Sequence, residues 1–410
     1  MKKFLLILLL FNIFILNSYA LESSSDIMNN INDEISSTSI IMYNLNDNKI
    51  ILEKNKDKEI SIASLTKIMT VITALDYIED YTKPVTITSK DFATLYEEDA
   101  SLAGFFVGEH LTYNDLLYGI FLPSGAEAAQ CLANNIFGSV DDFIDAMNKK
   151  AKELNLEHSH FANVTGLDNK NHYSSAQDVA TLLNYAINNE KFKEIFSSKT
   201  YVTSDSYLTL VSTFWYTAYK YNYDMSFVFG AKTGYTDDAG KCLASIAVDN
   251  ENGINYMLVT CGANTDTSDA FHIKDAYNIY NYFFENYKYQ TLISNGDLLV
   301  TLDAKYSKEK EISFNATEDI THFLKNDYDK NLIRLEYNGT KVIDNHYKSG
   351  DKLGTVSVYY DQELVKNIDI ILNDEYHFSI FQFLLQTKLL FVIIGITIIT
   401  MILIILKKHK

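Results

Sequence analysis

The chain has 410 residues and a formal net charge of −18, and its basic side chains are almost all lysine, with Arg334 the one arginine. An acidic chain without an arginine cluster is a poor partner for a phosphate backbone, which excludes nucleic-acid binding as a primary role. Three cysteines (Cys131, Cys242, Cys261) are too few for a disulfide scaffold.

Met1-Lys2-Lys3 opens the chain, and an apolar run from Phe4 to Leu16 follows, broken by Asn12. Small residues stand at Ser18 and Ala20. This pattern predicts a cleaved secretory signal over residues 1–20, since the run is shorter than the ~20 residues of a membrane span; an uncleaved anchor is the alternative. At the other end, Leu389 to Leu406 is apolar apart from Thr397, Thr400 and Gly395, with Lys388 before it and Lys407-Lys408-His409-Lys410 after it. That predicts a transmembrane helix over 388–406 with its basic tail on the cytoplasmic side and the body of the chain outside. About 365 residues lie between the two segments, which predicts two domains.

Two strands are expected at about Thr38–Tyr43 and Lys49–Glu53, around the turn Asn44-Leu45-Asn46-Asp47-Asn48. Leu65, Ile68, Met69, Ile72, Leu75 and Ile78 recur at helical spacing and predict a helix from Ser64 to Ile78. Shorter helices are expected over Asn114–Gly119, over Ala126–Ile136 after the break at Pro123-Ser124-Gly125, and from a cap at Ser139 to about Leu154. Ser174 with Gln177 reads as a capping box for a helix to about Asn188. Phe227–Thr236, Cys242–Val248 and Ile254–Cys261 read as strands, and Ala270–Tyr287 as a helix. Strands at both ends of this region, sharing one sheet with the helices beside it, give an α+β fold. Cys242 and Cys261 fall on two of those strands and read as two buried thiols, a cross-strand disulfide being the alternative. From about Tyr289 to Tyr376, short strands alternate with turn dipeptides such as Asn338-Gly339 and Ser349-Gly350, which predicts a small all-β domain.

Three short motifs carry chemistry. In Ser64-Leu65-Thr66-Lys67, positions i and i+3 share a helix face, so hydroxyl and amine can meet. A serine hydroxyl needs a base, and a lysine serves if burial or a nearby cation lowers its pKa from about 10.4. The alternative is a helix start with a solvated lysine. Ser124-Gly125 sits in the break before a helix, where a serine can relay a proton or simply cap the helix. Lys232-Thr233-Gly234 lies on a strand, where a cation and a hydroxyl can hold a carboxylate and Gly234 permits close approach; an ordinary strand end is the alternative. His158-Ser159-His160 reads as two surface histidines rather than a metal site, and the nine histidines show no zinc-protease pattern.

The ordered set Ser-x-x-Lys, Ser-containing triplet, Lys-Thr-Gly resembles that of penicillin-binding proteins and serine β-lactamases. The chain resembles the low-molecular-mass D-alanyl-D-alanine carboxypeptidases in Ile62–Thr70, Leu122–Gly125, His172–Ala176 and Gly230–Gly234, and Gly350-Asp351-Lys352-Leu353-Gly354-Thr355 looks like that family's C-terminal β domain. The resemblance implies a penicillin-binding-protein/β-lactamase-like transpeptidase domain over 21–288, an antiparallel sheet with helices, and a C-terminal β domain over 289–377. It implies Ser64 as nucleophile, Lys67 as general base and Ser124 as proton relay. Lys232 and Thr233 would hold the substrate carboxylate, Gly234 would admit the substrate backbone, and the backbone N–H groups of Ser64 and Tyr235 would form an oxyanion hole. The substrate would be a peptidoglycan peptide ending in D-Ala-D-Ala, with β-lactams as inhibitors and neither metal nor cofactor required.

One position departs from the family pattern: Ala126 stands where the family has asparagine, two residues after the middle serine. Water or Glu127 is the expected substitute for that amide, with low activity as the alternative. A wall-binding scaffold without turnover is the rival that Ala126 motivates, and a β-lactamase is the weaker rival, since the predicted β domain and anchor argue against it.

Overall fold

In the computed structural model the described residues are 23–31, 34–93, 95–373 and 376–408. The predicted signal segment lies outside them. The chain forms two compact units, Glu22–Asn286 and Tyr287–Lys410.

The first unit is organised by one five-stranded sheet. Strands Ser39–Asn44 and Lys49–Lys54 form the expected hairpin. Val228–Thr236, Gly240–Asp249 and Ile254–Ala263 form an antiparallel meander. Ser39–Asn44 then pairs antiparallel with Ile254–Ala263, so the two ends of the unit meet in the middle of the sheet. Both faces are covered. On one, Met257, Val259 and Cys261 join a core that includes Ile68, Ile72 and Leu183. On the other, Tyr256 packs its ring 6.1 Å from Phe283 and 5.7 Å from Phe284, on the helix Phe271–Asn286. A strand buried on both sides needs apolar residues at successive positions, which is why these runs read as continuous rather than alternating. All three cysteines are buried free thiols.

Helices fill the stretch between the strand groups, at Tyr113–Phe121, Ala126–Phe137, Val140–Glu153 and Ala176–Ala186 among others. Ser139 caps its helix as expected, accepting from the Asp142 N–H. Two local expectations are corrected. The cap of Ala176–Ala186 is Ser175, whose hydroxyl accepts from the Asp178 N–H, while Ser174 is taken by a backbone bridge to Ile60. Ser64 lies in a 3₁₀ turn, Ala63–Leu65, and the α-helix proper is Thr66–Leu75. The turn arises because the Leu65 N–H reaches only to the Ile62 carbonyl and Thr66 Oγ1 donates to the Ala63 carbonyl at 2.8 Å. The small hairpins Pro84–Thr86 with His110–Thr112 and Thr200–Val202 with Thr209–Val211 were not foreseen, since three-residue strands show no period.

The second unit is built of short β-sheets whose inward side chains, such as Leu302, Ile312, Ile343, Val356 and Val358, make a separate core. Ile333–Gly339, Lys352–Tyr360 and Glu363–Ile371 form its largest antiparallel run. The chain ends in the helix Leu389–Lys408, which by length and composition is able to cross a membrane.

One carboxylate ties the segment ahead of the first strand to the helix Phe271–Asn286. Asp275 is fully buried on the Phe271–Asn286 helix and accepts from the N–H groups of Ser36 and Ser37, at 3.1 and 2.8 Å, and from both their hydroxyls. Asp275→Ala would leave buried donors unpaired at a cost of about 3 kcal/mol. The expected result is an earlier urea midpoint for this unit, followed by the fluorescence of Trp215, the chain's one tryptophan; an unchanged midpoint would contradict it.

Candidate active site

A cavity of about 720 Å³ opens beside the Val228–Thr236 strand. Ser64, Lys67, Ser124, Thr233, Gly234 and Tyr235 all line it. Lys232 lies behind Thr233, 1% exposed, and is not part of that lining.

Ser64 is set by backbone strain and close packing. Ala63 takes φ +47, a left-handed conformation that costs a residue with a Cβ about 1 kcal/mol or more. Two glycines clasp that turn. A Cβ on Gly166, itself at φ +87, would fall 2.0 Å from the Ala63 carbonyl oxygen, and one on Gly234 would fall 3.0 Å from the Ser64 nitrogen. The strand thus runs directly against the serine turn, which requires a residue without a side chain at both contacts.

Lys67 follows one turn later and is 2% exposed. Its Nζ lies 2.9 Å from Ser64 Oγ and donates to the Thr165 carbonyl at 2.6 Å. Burial pulls its pKa down to about 7, against an upward pull from the Glu127 charge. A neutral lysine next to the serine is therefore accessible near neutral pH.

Ser124 is buried and also left-handed, at φ +69. It does not cap the helix that follows, where Gly125 holds that position. Instead its Oγ accepts from Lys232 Nζ at 2.9 Å. Lys232 Nζ also donates to the Thr233 carbonyl at 2.9 Å. Burial, and then the nearby charge of Lys67, hold the Lys232 pKa well below the ordinary lysine range. Thr233 Oγ1 is 2.6 Å from Thr213 Oγ1.

Ala126 lines the cavity, and its N–H donates to the Ser101 carbonyl at 2.8 Å. Glu127 is not the substitute for the missing amide. Its Oε1 accepts from the N–H groups of Ala103, Gly104 and Phe105 at 2.7, 3.0 and 3.3 Å, so it anchors that loop. Its carboxyl pKa is raised by burial. Several cavity residues carried no signal in the sequence: Thr165 and Gly166 beside the serine, Asp168, Thr213, and Lys241 with His272. Asp168 accepts from the hydroxyls of Ser61 and Thr236 at 2.8 and 2.7 Å, linking the serine turn to the strand. His160 Nδ1 lies 2.6 Å from the Asn171 carbonyl and His158 lies 3.7 Å from Glu59. No cluster of metal-ligating side chains occurs among the described residues.

Known proteins resemble this chain in sequence and fold. Residues 26–265 match the D-alanyl-D-alanine carboxypeptidase family, and residues 287–377 match the C-terminal domain of penicillin-binding protein 5. The D-alanyl-D-alanine carboxypeptidase DacF of Bacillus subtilis is 28% identical over 337 residues, covering 80% of this chain and 82% of its own. A D-alanyl-D-alanine carboxypeptidase of a Streptomyces strain is 32% identical over 244 residues, covering 56% of this chain and 81% of its own. Among solved structures, a variant of a Streptomyces DD-transpeptidase superposes with a TM-score of 0.55 at 28% identity, over 62% of this chain and 99% of its own. Penicillin-binding protein 5 from Haemophilus influenzae shares the fold, with a TM-score of 0.59 at 22% identity, over 83% of this chain and 98% of its own. A match over more than half of the chain, joined to the second match over the β unit, makes this protein a member of the D-alanyl-D-alanine carboxypeptidase family of serine peptidases.

Proposed function

We propose that Ser64 is the nucleophile of this carboxypeptidase and that Lys67 is its base. The observation that carries the reading is the 2.9 Å separation of Lys67 Nζ from Ser64 Oγ, inside a cleft that pulls the lysine pKa down to about 7. With the amine neutral, the Ser64 hydroxyl donates its proton to Nζ as Oγ attacks the carbonyl between two terminal D-alanines. The oxyanion meets the N–H groups of Ser64 and Tyr235. Ser124, bonded to Lys232, relays the proton that Lys67 has taken on to the leaving amine, the C–N bond breaks, D-alanine departs, and Lys67 is neutral again. Water then hydrolyses the Ser64 ester by the reverse proton path. Thr233 presents its hydroxyl to the terminal carboxylate, with Lys232 behind it and Gly234 admitting the peptide backbone. A penicillin enters the same sequence and stays as the Ser64 ester. The Leu389–Lys408 helix anchors the enzyme in the cell membrane, basic end inward, with the catalytic unit outside.

Ala126 favours a second reading, a scaffold that binds wall peptides without turnover. One assay separates the two. The full-length chain in detergent should release D-alanine from a peptide ending in D-Ala-D-Ala, and Ser64→Ala should lower that rate by about 10⁴-fold or more. No release from the folded wild-type chain would favour the scaffold.

The Lys67 role sets a pH profile. Its folded pKa is depressed, so the reactive neutral form grows as pH rises through about 7. Acylation of Ser64 by a fluorescent penicillin should be about tenfold slower at pH 6 than on the plateau above pH 8. Lys67→Arg, permanently charged, should abolish it. A flat wild-type profile between pH 6 and 8 would rule Lys67 out as the base.

A further inference from the structure

Two backbone N–H groups stabilise an oxyanion by being fixed in place before the charge develops, so their separation has to be held. Here the two donors sit on segments distant in the chain. Ser64 is on the 3₁₀ turn Ala63–Leu65, and Tyr235 is on the strand Val228–Thr236. The segments pack closely, since a Cβ on Gly234 would fall 3.0 Å from the Ser64 nitrogen. Among the described residues, no hydrogen bond runs directly between residues 62–65 and 234–236. Packing keeps the two segments from closing further, but it does not keep them from parting.

Asp168 supplies the hydrogen-bonded link. Its Oδ1 accepts from Ser61 Oγ at 2.8 Å and from Thr236 Oγ1 at 2.7 Å, and its Oδ2 accepts from the Asp238 N–H at 3.3 Å. Ser61 stands just ahead of the serine turn, and Thr236 follows Tyr235 directly. Thr236 Oγ1 also accepts from the Ala239 N–H at 3.1 Å, so its one proton is directed to the carboxylate. The carboxylate is itself held in place by the loop that ends in it. Asn163 Oδ1 accepts from the N–H groups of Thr165 and Gly166 at 3.1 and 2.7 Å, and Asn163 Nδ2 donates to the Leu167 carbonyl at 2.9 Å. A side chain that closes on the backbone two residues on makes an Asx turn, which fixes the loop without help from outside it. The same loop brings the Thr165 carbonyl to Lys67 and Gly166 to the Ala63 carbonyl. Base, serine turn and strand thus all meet one rigid loop. Asp168 is exposed and lines the cavity, whereas Ser61 is not part of the lining.

We infer that Asp168 is a positioning residue which, by bridging Ser61 and Thr236, sets the distance between the two N–H donors of the oxyanion hole. The inference rests on the carboxypeptidase reading above and on the hole assigned there. Both bonds of the bridge are charge-assisted and share one oxygen, so neither hydroxyl moves without the other. Loss of the bridge leaves the ground-state peptide bound as before. It loosens the two donors, and that is felt when negative charge builds on the carbonyl oxygen.

The test uses two probes on the full-length chain in detergent. One is a peptide ending in D-Ala-D-Ala, with D-alanine quantified as the product. The other is the peptide cut back to one D-alanine whose carboxyl is replaced by a boronic acid; its boron takes up Ser64 Oγ, becomes tetrahedral and presents an oxygen to the hole. Asp168→Ala should lower kcat by about 30-fold and weaken boronate inhibition by a similar factor, with KM held within about threefold. Asp168→Asn keeps an oxygen for both hydroxyls and should stay within about fivefold of wild type in all three quantities. Ser61→Ala removes one arm of the bridge without touching the cavity lining. It should lower kcat and boronate affinity together by about fivefold, and adding it to Asp168→Ala should cost no more than about a further twofold, since both break the same bridge. An unchanged kcat in Asp168→Ala would overturn the inference, as would a lower kcat with boronate affinity intact, or a loss confined to KM. If Asp168→Ala does not fold, Ser61→Ala decides, and an unchanged boronate affinity there overturns the inference equally. Absence of D-alanine release from the folded wild-type chain would instead bring down the carboxypeptidase reading itself, and this inference with it.

Discussion

Two lysines share one nearly dry wall, and both cannot hold a full charge there at ordinary cost. Removing an ammonium group from water is expensive, and a second one alongside adds repulsion. The fold answers by giving each amine one hydroxyl and one carbonyl. Lys67 has Ser64 and Thr165; Lys232 has Ser124 and Thr233. Among the described residues no carboxylate bonds either amine directly, and Glu127 acts on Lys67 through its charge, with its Oε1 held by loop N–H groups. A direct carboxylate partner would hold the proton on the lysine, which the role proposed for Lys67 does not allow. The polar order of the cleft follows from that balance.

The same requirement explains why the sheet is covered on both sides. To desolvate a lysine, the helix that carries it must be buried around its whole circumference, and every residue of Thr66–Leu75 is buried. The sheet supplies one wall of that environment and the neighbouring helices the other. The serine turn ahead of the Lys67 helix is packed closely from two sides, by Gly234 of the Lys232 strand against the Ser64 nitrogen and by Gly166 against the Ala63 carbonyl. Local strain at Ala63 and Ser124 is offset by this packing, and both strained residues flank the chemistry.

Much of this was legible in the residues. The hairpin, the three-strand meander and the closing helix were readable because period and turn chemistry agree along them. The Ser64, Ser124 and Lys232 motifs were readable because their order is specific, although each alone has an ordinary explanation. What escaped has physical reasons. The cap moved from Ser174 to Ser175 because Ser174 is claimed by a pairing with Ile60, more than a hundred residues away. Ser64 fell into a 3₁₀ turn closed by the Leu65 N–H on the Ile62 carbonyl, with Gly166 and Gly234, distant in the chain, packed against it. Thr165 acts through its carbonyl, which no side-chain motif reports. Lys241 looks like any strand lysine, and only the assembled fold puts it at the cavity wall. Glu127 looked able to fill in for an amide at Ala126, and only the position of the loop at Ala103–Phe105 shows where its carboxylate is used.

The clasp around Ser64 also bears on the life of the chain before it is finished. Residue 64 is pressed by residues 166 and 234, so the turn is complete only once the last strands have joined the first hairpin. A nascent or partly threaded chain carries the serine and the lysine on a helix that is still wet, where the amine keeps its proton and the hydroxyl stays inert. Reactivity is thereby coupled to tertiary closure. A chain in which that closure is incomplete holds both side chains in water, without the buried pairing that the folded cleft gives them.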